Sequence, residues 1–302
     1  MRYIVSNNLT QRQLQKMVRN ADEEFERLSE EKVRAFSSID NLKILGLTGP
    51  SCSGKTTAAK KLIDHLENSG HRVTVVSLDD FFKDVTAIRS GNFDPSVKID
   101  FDSEDAMDLS FLSQKVESLL ACKPTKMPKF DFKTGRREDE ALLLTPNQND
   151  IFLFEGIQVL YPRINEILSQ ANYRSIYICP ESSIRTAGEK YTPNDLRLMR
   201  RLVRDYRHRA ADAEFTFYLW QSVRENEEKA IFPFKDRCRE QIDSTMPYEV
   251  GMLKPYLIPL LTAYRKDALF YKEASELLEK LEKVQPIPVE YLTENSLFKE
   301  FI

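Results

Sequence analysis

Residues 43–70 read KILGLTGPSCSGKTTAAKKLIDHLENSG, and from Gly49 this stretch spells the pattern G-x-x-x-x-G-K-T. Only nine glycines occur among the 302 residues, yet three of them fall within nine consecutive positions here, which indicates a need for backbone freedom. A short apolar run precedes the pattern and an amphipathic helical spacing follows it. The stretch therefore predicts a strand, a phosphate-binding loop and a helix in succession.

The predicted loop also indicates how a polyphosphate would be held. Glycines let successive backbone N–H groups point inward at phosphate oxygens, and the positive end of the following helix adds to the attraction. Lys55 would reach the β- and γ-phosphates, and the hydroxyl of Thr56 would bind Mg²⁺. The residues expected to contact the nucleotide are Gly49, Ser51, Cys52, Ser53, Gly54, Lys55, Thr56 and Thr57.

The chain beyond the loop alternates between strand and helix patterns. Strand-length apolar runs occupy residues 72–78, 151–154 and 175–179. This alternation predicts an α/β fold, namely the three-layer P-loop NTPase architecture with a parallel sheet between helices. Ligands of such sheets bind beyond the carboxyl ends of the strands, where Asp79 and Glu155 stand. We therefore expect both carboxylates to meet the loop in one site.

The two ends of the chain have different patterns from this middle part. Residues 8–36 place Leu14, Met17, Ala21, Phe25 and Leu28 on one face of a predicted helix. We predict an N-terminal helical extension over residues 1–40, a nucleotide-binding core over 41–245 and a C-terminal helical extension over 246–302 that packs on the core. The N-terminal helix could pack on its own domain or pair two chains in a homo-oligomer.

Composition limits the classes of protein that the chain can represent. Its 44 basic and 47 acidic side chains give a net charge of −3, which offers no overall attraction for nucleic acid. No apolar stretch approaches the length of a membrane span, and the first residues lack the apolar region of a signal peptide. The four cysteines are scattered singly, which argues against a zinc site or a disulfide framework. We expect a cytoplasmic protein that binds a small molecule, with neither nucleic acid nor membrane as partner.

Two acidic positions at strand ends are candidates for chemistry. Phosphoryl transfer to a hydroxyl uses one carboxylate to accept the proton and another to hold Mg²⁺, directly or through water. Asp79 is predicted for the first role and Glu155 for the second. The alternative for each is an ordinary solvated strand end.

A cluster of arginines lies in NDLRLMRRLVRDYRHRA, at residues 194–210. On a helical wheel Arg197, Arg201 and Arg204 fall opposite the apolar face. Such a face is usually solvated, but five arginines between positions 197 and 207 in an acidic protein that must hold a polyphosphate favour phosphate contact. From a helix that closes over bound substrates, arginine would stabilise the charge of the transferring group.

These motifs together resemble the uridine kinase branch of the phosphoribulokinase/uridine kinase family, most closely its longer nucleoside-kinase members. The similar segments are GPSCSGKTT (49–57), SLDDFF (77–82), FDFKTGRR (130–137), LFEGI (153–157), RRLVRD (200–205), SVRENEEKAIFPF (222–234) and YEVGMLKPYLIPLL (248–261). The resemblance covers about residues 42–302 and implies a kinase that uses ATP and Mg²⁺.

The resemblance implies roles for individual residues. It assigns Asp79 to the base that accepts the proton of a 5′-hydroxyl, Asp102 to the acid that binds ribose hydroxyls, Glu155 to the Mg²⁺-associated glutamate, Arg137 to the substrate side, and Arg201 and Arg204 to the arginine lid. Together with Lys55, the lid arginines would stabilise the developing charge.

The lid segment at residues 130–137 departs from the pattern of ordinary uridine kinases, in which a tyrosine and a histidine read the pyrimidine. Phe130 and Gly135 stand in their places, and neither side chain can hydrogen-bond a base edge. A buried polar contact gives strong discrimination between acceptors, and these two positions supply none. The sequence therefore leaves the acceptor open between a uridine- or cytidine-like nucleoside and another nucleoside, sugar or polyol.

Two other classes of protein compete with a kinase. One is a regulatory protein that binds nucleotide without phosphorylating a small molecule. The GTPase motifs N-K-x-D and D-x-x-G are missing from the sequence, so this class would require a degenerate kinase. The other is a nucleic-acid-binding protein, for which the arginine-rich segment is the single supporting feature.

Overall fold

The computed structural model describes residues 2–37, 39, 41–84, 103–132, 134–209 and 211–302. The strands are β1 (Arg2–Ile4), β2 (Ile44–Thr48), β3 (Arg72–Ser77), β4 (Thr125–Asp131), β5 (Arg136–Leu144), β6 (Asp150–Glu155), β7 (Tyr173–Cys179), β8 (Ser183–Thr186), β9 (Glu189–Tyr191) and β10 (Glu240–Asp243). The helices are α1 (Gln11–Ser37), α2 (Lys55–Asn68), α3 (Leu109–Leu120), α4 (Pro162–Leu168), α5 (Pro193–Arg209), α6 (Ala213–Ala230), α7 (Glu249–Thr262) and α8 (Tyr271–Glu282).

Five strands form a central parallel sheet in the order β10, β7, β2, β6, β3. The strand before the glycine-rich loop, β2, is therefore central. Strand β6, which ends in Glu155, lies beside β2, and β3, which precedes Asp79, lies beside β6. In the register of the sheet, Glu155 is opposite Leu47 on one side and Ser77 on the other. The carboxyl ends of β2, β3 and β6 consequently meet at one edge of the sheet.

Alternate side chains of the central strands enter two separate apolar layers. In β6, Ile151 and Leu153 face one layer, whereas Phe152 and Phe154 face the other. Helices α1, α2, α5 and α7 pack into the first layer, and α3 and α4 pack into the second. This arrangement confirms the three-layer α/β fold that the strand and helix patterns predicted.

Three β features were not predicted from the sequence. Strand β10 extends the central sheet at its edge, β4 and β5 form an antiparallel hairpin, and β1 joins β8 and β9 in a small sheet. The pairing of β1 with β8 joins residues 2–4 to residues 183–185. Strands of three or four residues, such as β1, β8, β9 and β10, lack a periodic signal of their own, so long-range pairing defines them.

The N-terminal segment packs on its own chain. Leu14, Val18 and Phe25 of α1 are buried in the first apolar layer, whereas Leu28, expected on that face, is 40% exposed. The buried face instead passes through Asp22, whose carboxylate accepts hydrogen bonds from residues near the C-terminus. The region expected to be a purely helical extension also contributes strand β1. Among the described residues, no helix combines the length and apolarity that crossing a membrane requires.

Candidate active site

The glycine-rich loop joins β2 to α2, and two of its glycines are required by geometry. A side chain at Gly49 would collide with the backbone oxygen of Ile178, because the loop passes close to β7. Gly54 has a φ of 100°, a left-handed conformation that glycine adopts readily. Between them the chain curls so that Lys55 Nζ donates to the carbonyl oxygens of Gly49, at 2.8 Å, and Pro50, at 3.1 Å. The ammonium group is thus held inside the loop, at the start of α2.

A cleft of about 1120 Å³ opens beside this loop. Its wall includes nine of the residues predicted for the site, namely Ser51, Cys52, Ser53, Lys55, Thr56, Asp79, Glu155, Arg201 and Arg204. Asp79 follows β3 and Glu155 ends β6, so adjacent strand ends bring the two carboxylates to the loop. The volume exceeds the usual range of about 300–1,000 Å³ for small-molecule sites, which suits two substrates in one cleft.

Helix α5 crosses the loop and contributes the arginines of the cleft. Arg201 Nη1 donates to Ser51 Oγ at 3.3 Å, and Arg201 Nε donates to Asp205 Oδ2 at 3.2 Å. Arg204 donates to the other oxygen of Asp205, through Nε at 2.9 Å and Nη2 at 2.6 Å. The buried carboxylate of Asp205, which the sequence analysis did not single out, therefore orients both lid arginines.

Arg197 is a correction to the predicted phosphate-facing stripe. Its guanidinium is fully buried and pairs with the buried carboxylate of Glu227, with Nη1 to Oε2 at 2.9 Å. Arg200 is likewise buried and pairs with Glu249. Both side chains also donate to backbone oxygens of the loop, at Ser51 and Cys52 respectively. Because their charge is neutralised within the protein, these two arginines anchor α5 to the loop and are not placed to bind a phosphate in the cleft.

The charged groups of the cleft influence one another strongly. Burial lowers the pKa of Lys55, and the nearby carboxylates of Glu300, Glu155 and Asp79 oppose that change. Burial raises the pKa of Glu155; Lys55 opposes the rise, and Asp79 and Glu300 add to it. Burial destabilises the charged form of this lysine, and the negative charge of a bound polyphosphate would stabilise it. The site is therefore adapted to an anionic ligand.

Gln158 supports the Asp79 carboxylate. Its Nε2 donates to Asp79 Oδ1 at 2.9 Å, and the side chain is 1% exposed. The other amide atom, Oε1, is buried and has no hydrogen-bond partner among the described residues. The hydrogen bond to Asp79 thus orients the Gln158 amide. The same bond fixes one oxygen of Asp79, and the other oxygen receives no hydrogen bond from Gln158.

Several residues predicted for the acceptor side lie elsewhere. Phe130 is buried behind the cleft wall, against the rings of Phe82 and Phe132. Arg137 is held by Asp108, at 3.0 Å, and by Asp139, and it does not line the cleft. Gly135 of the lid segment is also outside the cleft wall, as are Gly49, Gly54 and Thr57, which were predicted to contact the nucleotide. Asp102 lies outside the described residues.

The cleft also has walls that were not predicted from the sequence. Phe82, Phe132 and Tyr161 line it, and Phe132 is 60% exposed. Helix α6 supplies a further wall through Phe215, Tyr218, Leu219, Ser222, Val223, Glu225, Asn226, Glu227 and Lys229. The motif FDFKTGRR did contain Phe132, but strand alternation puts residues two apart on the same face, so it could not have predicted that Phe132 is exposed while Phe130 is buried. On helix α6, residues 222–230 belong to the family-like segment SVRENEEKAIFPF, but no role in the site was predicted for them.

A parallel sheet whose central strand runs into a glycine-rich phosphate loop, with carboxylates at the neighbouring strand ends, defines the fold of a P-loop kinase. Residues 44–247 match the phosphoribulokinase / uridine kinase family, and the chain belongs to that family. The family membership shows a phosphotransferase that acts on a small molecule.

Individual relatives agree on the kinase class and differ in the acceptor that their names specify. A uridine kinase of Lactobacillus helveticus (strain DPC 4571) is 32% identical over 186 residues, which cover 61% of this chain and 78% of that protein. A uridine kinase of Streptococcus equi subsp. zooepidemicus is 28% identical over 181 residues, or 60% of this chain and 76% of that protein. A solved structure from Silicibacter sp. TM1040, named as a fructose transport system kinase, has a TM-score of 0.53 at 17% identity and covers 72% of this chain and 98% of its own. That structure supports the fold alone.

Proposed function

We propose that the protein transfers the γ-phosphate of ATP to a hydroxyl group of a nucleoside, with Mg²⁺ as cofactor. The observation that carries this proposal is the convergence of Lys55, Asp79 and Glu155 on one cleft with aromatic walls. A basic side chain at the phosphate loop and a carboxylate beyond it are the parts that phosphoryl transfer to an alcohol requires.

The donor would be held by the loop and the arginines. The N–H groups of the loop and the N-terminus of α2 would bind its phosphates, with Lys55 at the β- and γ-phosphates and Arg201 and Arg204 at the transferring group. Thr56 and Glu155, both in the wall of the cleft, fit the oxygen ligands that Mg²⁺ prefers, directly or through water. The metal would supply charge neutralisation at the phosphates.

Asp79 would act as the general base. As the acceptor oxygen bonds to the γ-phosphorus, its proton passes to the Asp79 carboxylate, and the bond between the γ-phosphorus and the bridging oxygen breaks to release ADP. Gln158 would hold one oxygen of Asp79 so that the other faces the acceptor hydroxyl. Removal of the carboxylate charge should therefore affect transfer far more than binding of ATP.

The aromatic walls favour a nucleoside over a sugar or polyol. The ring of Phe132, which is 60% exposed, offers a face on which a planar base can stack, whereas a polyol gains little from such a surface. Phe82 and Tyr161 also line the cleft but are buried. Phe130 is buried and offers no polar contact to a base edge, so stacking on the exposed ring of Phe132 would hold the base. Uridine and cytidine remain the first acceptors to test because the named relatives are uridine kinases.

The test is ADP release by the purified protein with Mg·ATP and a panel of nucleosides, sugars and polyols. Asp79→Asn should lower acceptor-dependent turnover by at least about 100-fold while ATP binding stays within about threefold of wild type. Asp64→Asn, the same change at an exposed position on α2, should leave both unchanged.

The outcomes separate the alternatives. Full activity in Asp79→Asn would refute the role of that carboxylate. Turnover on a sugar or polyol with none on any nucleoside would refute the nucleoside acceptor and retain the kinase. Tight ATP binding with no turnover on the whole panel would favour a nucleotide-binding regulatory protein.

A further inference from the structure

The C-terminal segment lies against the glycine-rich loop. A short 3₁₀ turn at Leu297–Glu300 covers the start of α2, where a side chain added at Gly54 would collide with Leu297. Leu297, Phe298 and Phe301 are fully buried. This turn is therefore part of the first apolar layer, and it brings Glu300 into the wall of the cleft.

The Glu300 carboxylate is bonded to the first turn of α2. Its Oε2 accepts from the backbone N–H of Thr57 at 3.1 Å and from Thr57 Oγ1 at 3.1 Å. Thr57 was expected to contact the nucleotide, because the N–H groups of this turn are the usual donors to a phosphate. A carboxylate offers the same negative charge and the same kind of acceptor oxygen as a phosphate. The backbone N–H and the hydroxyl of Thr57 are thus both bonded to a carboxylate of the protein itself.

We propose that Glu300 occupies the position of a donor phosphate at Thr57, so that nucleotide binding requires this carboxylate to leave. The inference rests on the proposed function, since it assumes that the loop binds a nucleoside triphosphate. The C-terminal segment then acts as a built-in competitor that lowers the affinity of the site for nucleotide. It also shields the helix start from other anions while the site holds no nucleotide.

Release needs no movement of the segment as a whole. Phe298 and Phe301 lie against the buried guanidinium of Arg200, with ring centroids 5.3 and 5.0 Å from its central carbon. These contacts hold the backbone of the turn, while the side chain of Glu300 reaches into the open cleft. A rotation of that one side chain would free both donors of Thr57. Displacement is therefore a local event at the phosphate site.

The test compares the affinity for Mg·ATP of wild type and Glu300→Gln by calorimetric titration. Glutamine keeps the size and one acceptor oxygen but removes the charge, and we expect its dissociation constant to be about tenfold lower. Glu294→Gln is the matched control, because Glu294 is an exposed glutamate of the same C-terminal region. Truncation is unsuitable, since it would remove the buried Phe298 and Phe301.

The rise in melting temperature on adding Mg·ATP gives a second readout and should be larger in Glu300→Gln than in wild type or Glu294→Gln. Equal affinities in wild type and Glu300→Gln would overturn the displacement and leave the proposed function intact. Weaker binding in Glu300→Gln would also overturn it, because Glu300 would then assist the donor or its metal. Binding by neither protein would refute the proposed nucleotide site, and with it the displacement.

Discussion

Replacing Gln158 with leucine isolates the hydrogen bond that positions Asp79. Leucine has a similar volume, so the packing of the buried site is retained. The change removes the donor that lies 2.9 Å from Asp79 Oδ1 and also removes the unpartnered acceptor Oε1. Loss of a buried acceptor without a partner relieves a desolvation penalty, so we expect the stability of the fold to be unchanged or slightly higher.

The size of the kinetic effect follows from the burial of this bond. A hydrogen bond to a charged group contributes about 1.5–3 kcal/mol, and with Gln158 only 1% exposed no bulk water can replace it. If that energy is used to orient the base in the transition state, kcat should fall by about 10- to 100-fold. The KM for ATP should stay unchanged, because the amide of Gln158 donates to Asp79 and to no group of the phosphate loop.

The assay is initial-rate ADP release across concentrations of ATP and of the acceptor. Gln241→Leu is the matched control: its Nε2 also donates to a carboxylate, that of Asp236 at 3.3 Å, but on an exposed surface. A normal kcat in Gln158→Leu would refute the positioning role. A raised KM for ATP with kcat unchanged would show that the residue acts on nucleotide binding instead.

Arg200→Met should destabilise the protein by about 3–5 kcal/mol in urea unfolding, since it leaves the fully buried Glu249 without its partner. Arg163→Met, whose guanidinium is 60% exposed, should change stability by less than about 0.5 kcal/mol, and equal losses in the two variants would contradict this account. Burial raises the pKa of Glu155, so the folded state binds this proton more tightly than the unfolded state does. The free energy of unfolding of the ligand-free protein should therefore fall as the pH rises from the usual glutamate pKa through the raised pKa of Glu155. Calorimetry of Glu155→Gln should show that this contribution to the pH dependence is absent.

The sequence predicted the central fold because its signals are local. Periodicity and spacing along the chain predict the loop at residues 49–56, the strands that precede and follow it in sequence, and the carboxylates at strand ends. The parallel sheet then brings the carboxyl ends of the strands together at one edge. No long-range contact had to be known to place Asp79 and Glu155 in the same cleft.

Contacts between distant segments could not be predicted in this way. A helical wheel shows that Arg197 lies opposite an apolar face, but it cannot show that Glu227 on α6 comes to meet it. For the same reason Phe130 was expected to face the acceptor, whereas pleating of β4 and packing against Phe82 bury it. The approach of Glu300 to Thr57 joins residues 243 positions apart and carries no sequence motif.

The buried carboxylate of Asp22 has a consequence for how the chain folds. It accepts hydrogen bonds from Tyr248, Thr293 and Ser296, which are 226, 271 and 274 positions away in sequence. Contacts of such separation form slowly, because a very long loop must close before they contribute any energy. Among the described residues, the buried side chains of the second apolar layer come from residues 44–238, so we expect this layer to assemble before either end of the chain docks. The turn that covers the phosphate loop belongs to the first layer, and we therefore expect the nucleotide site to be completed late in folding.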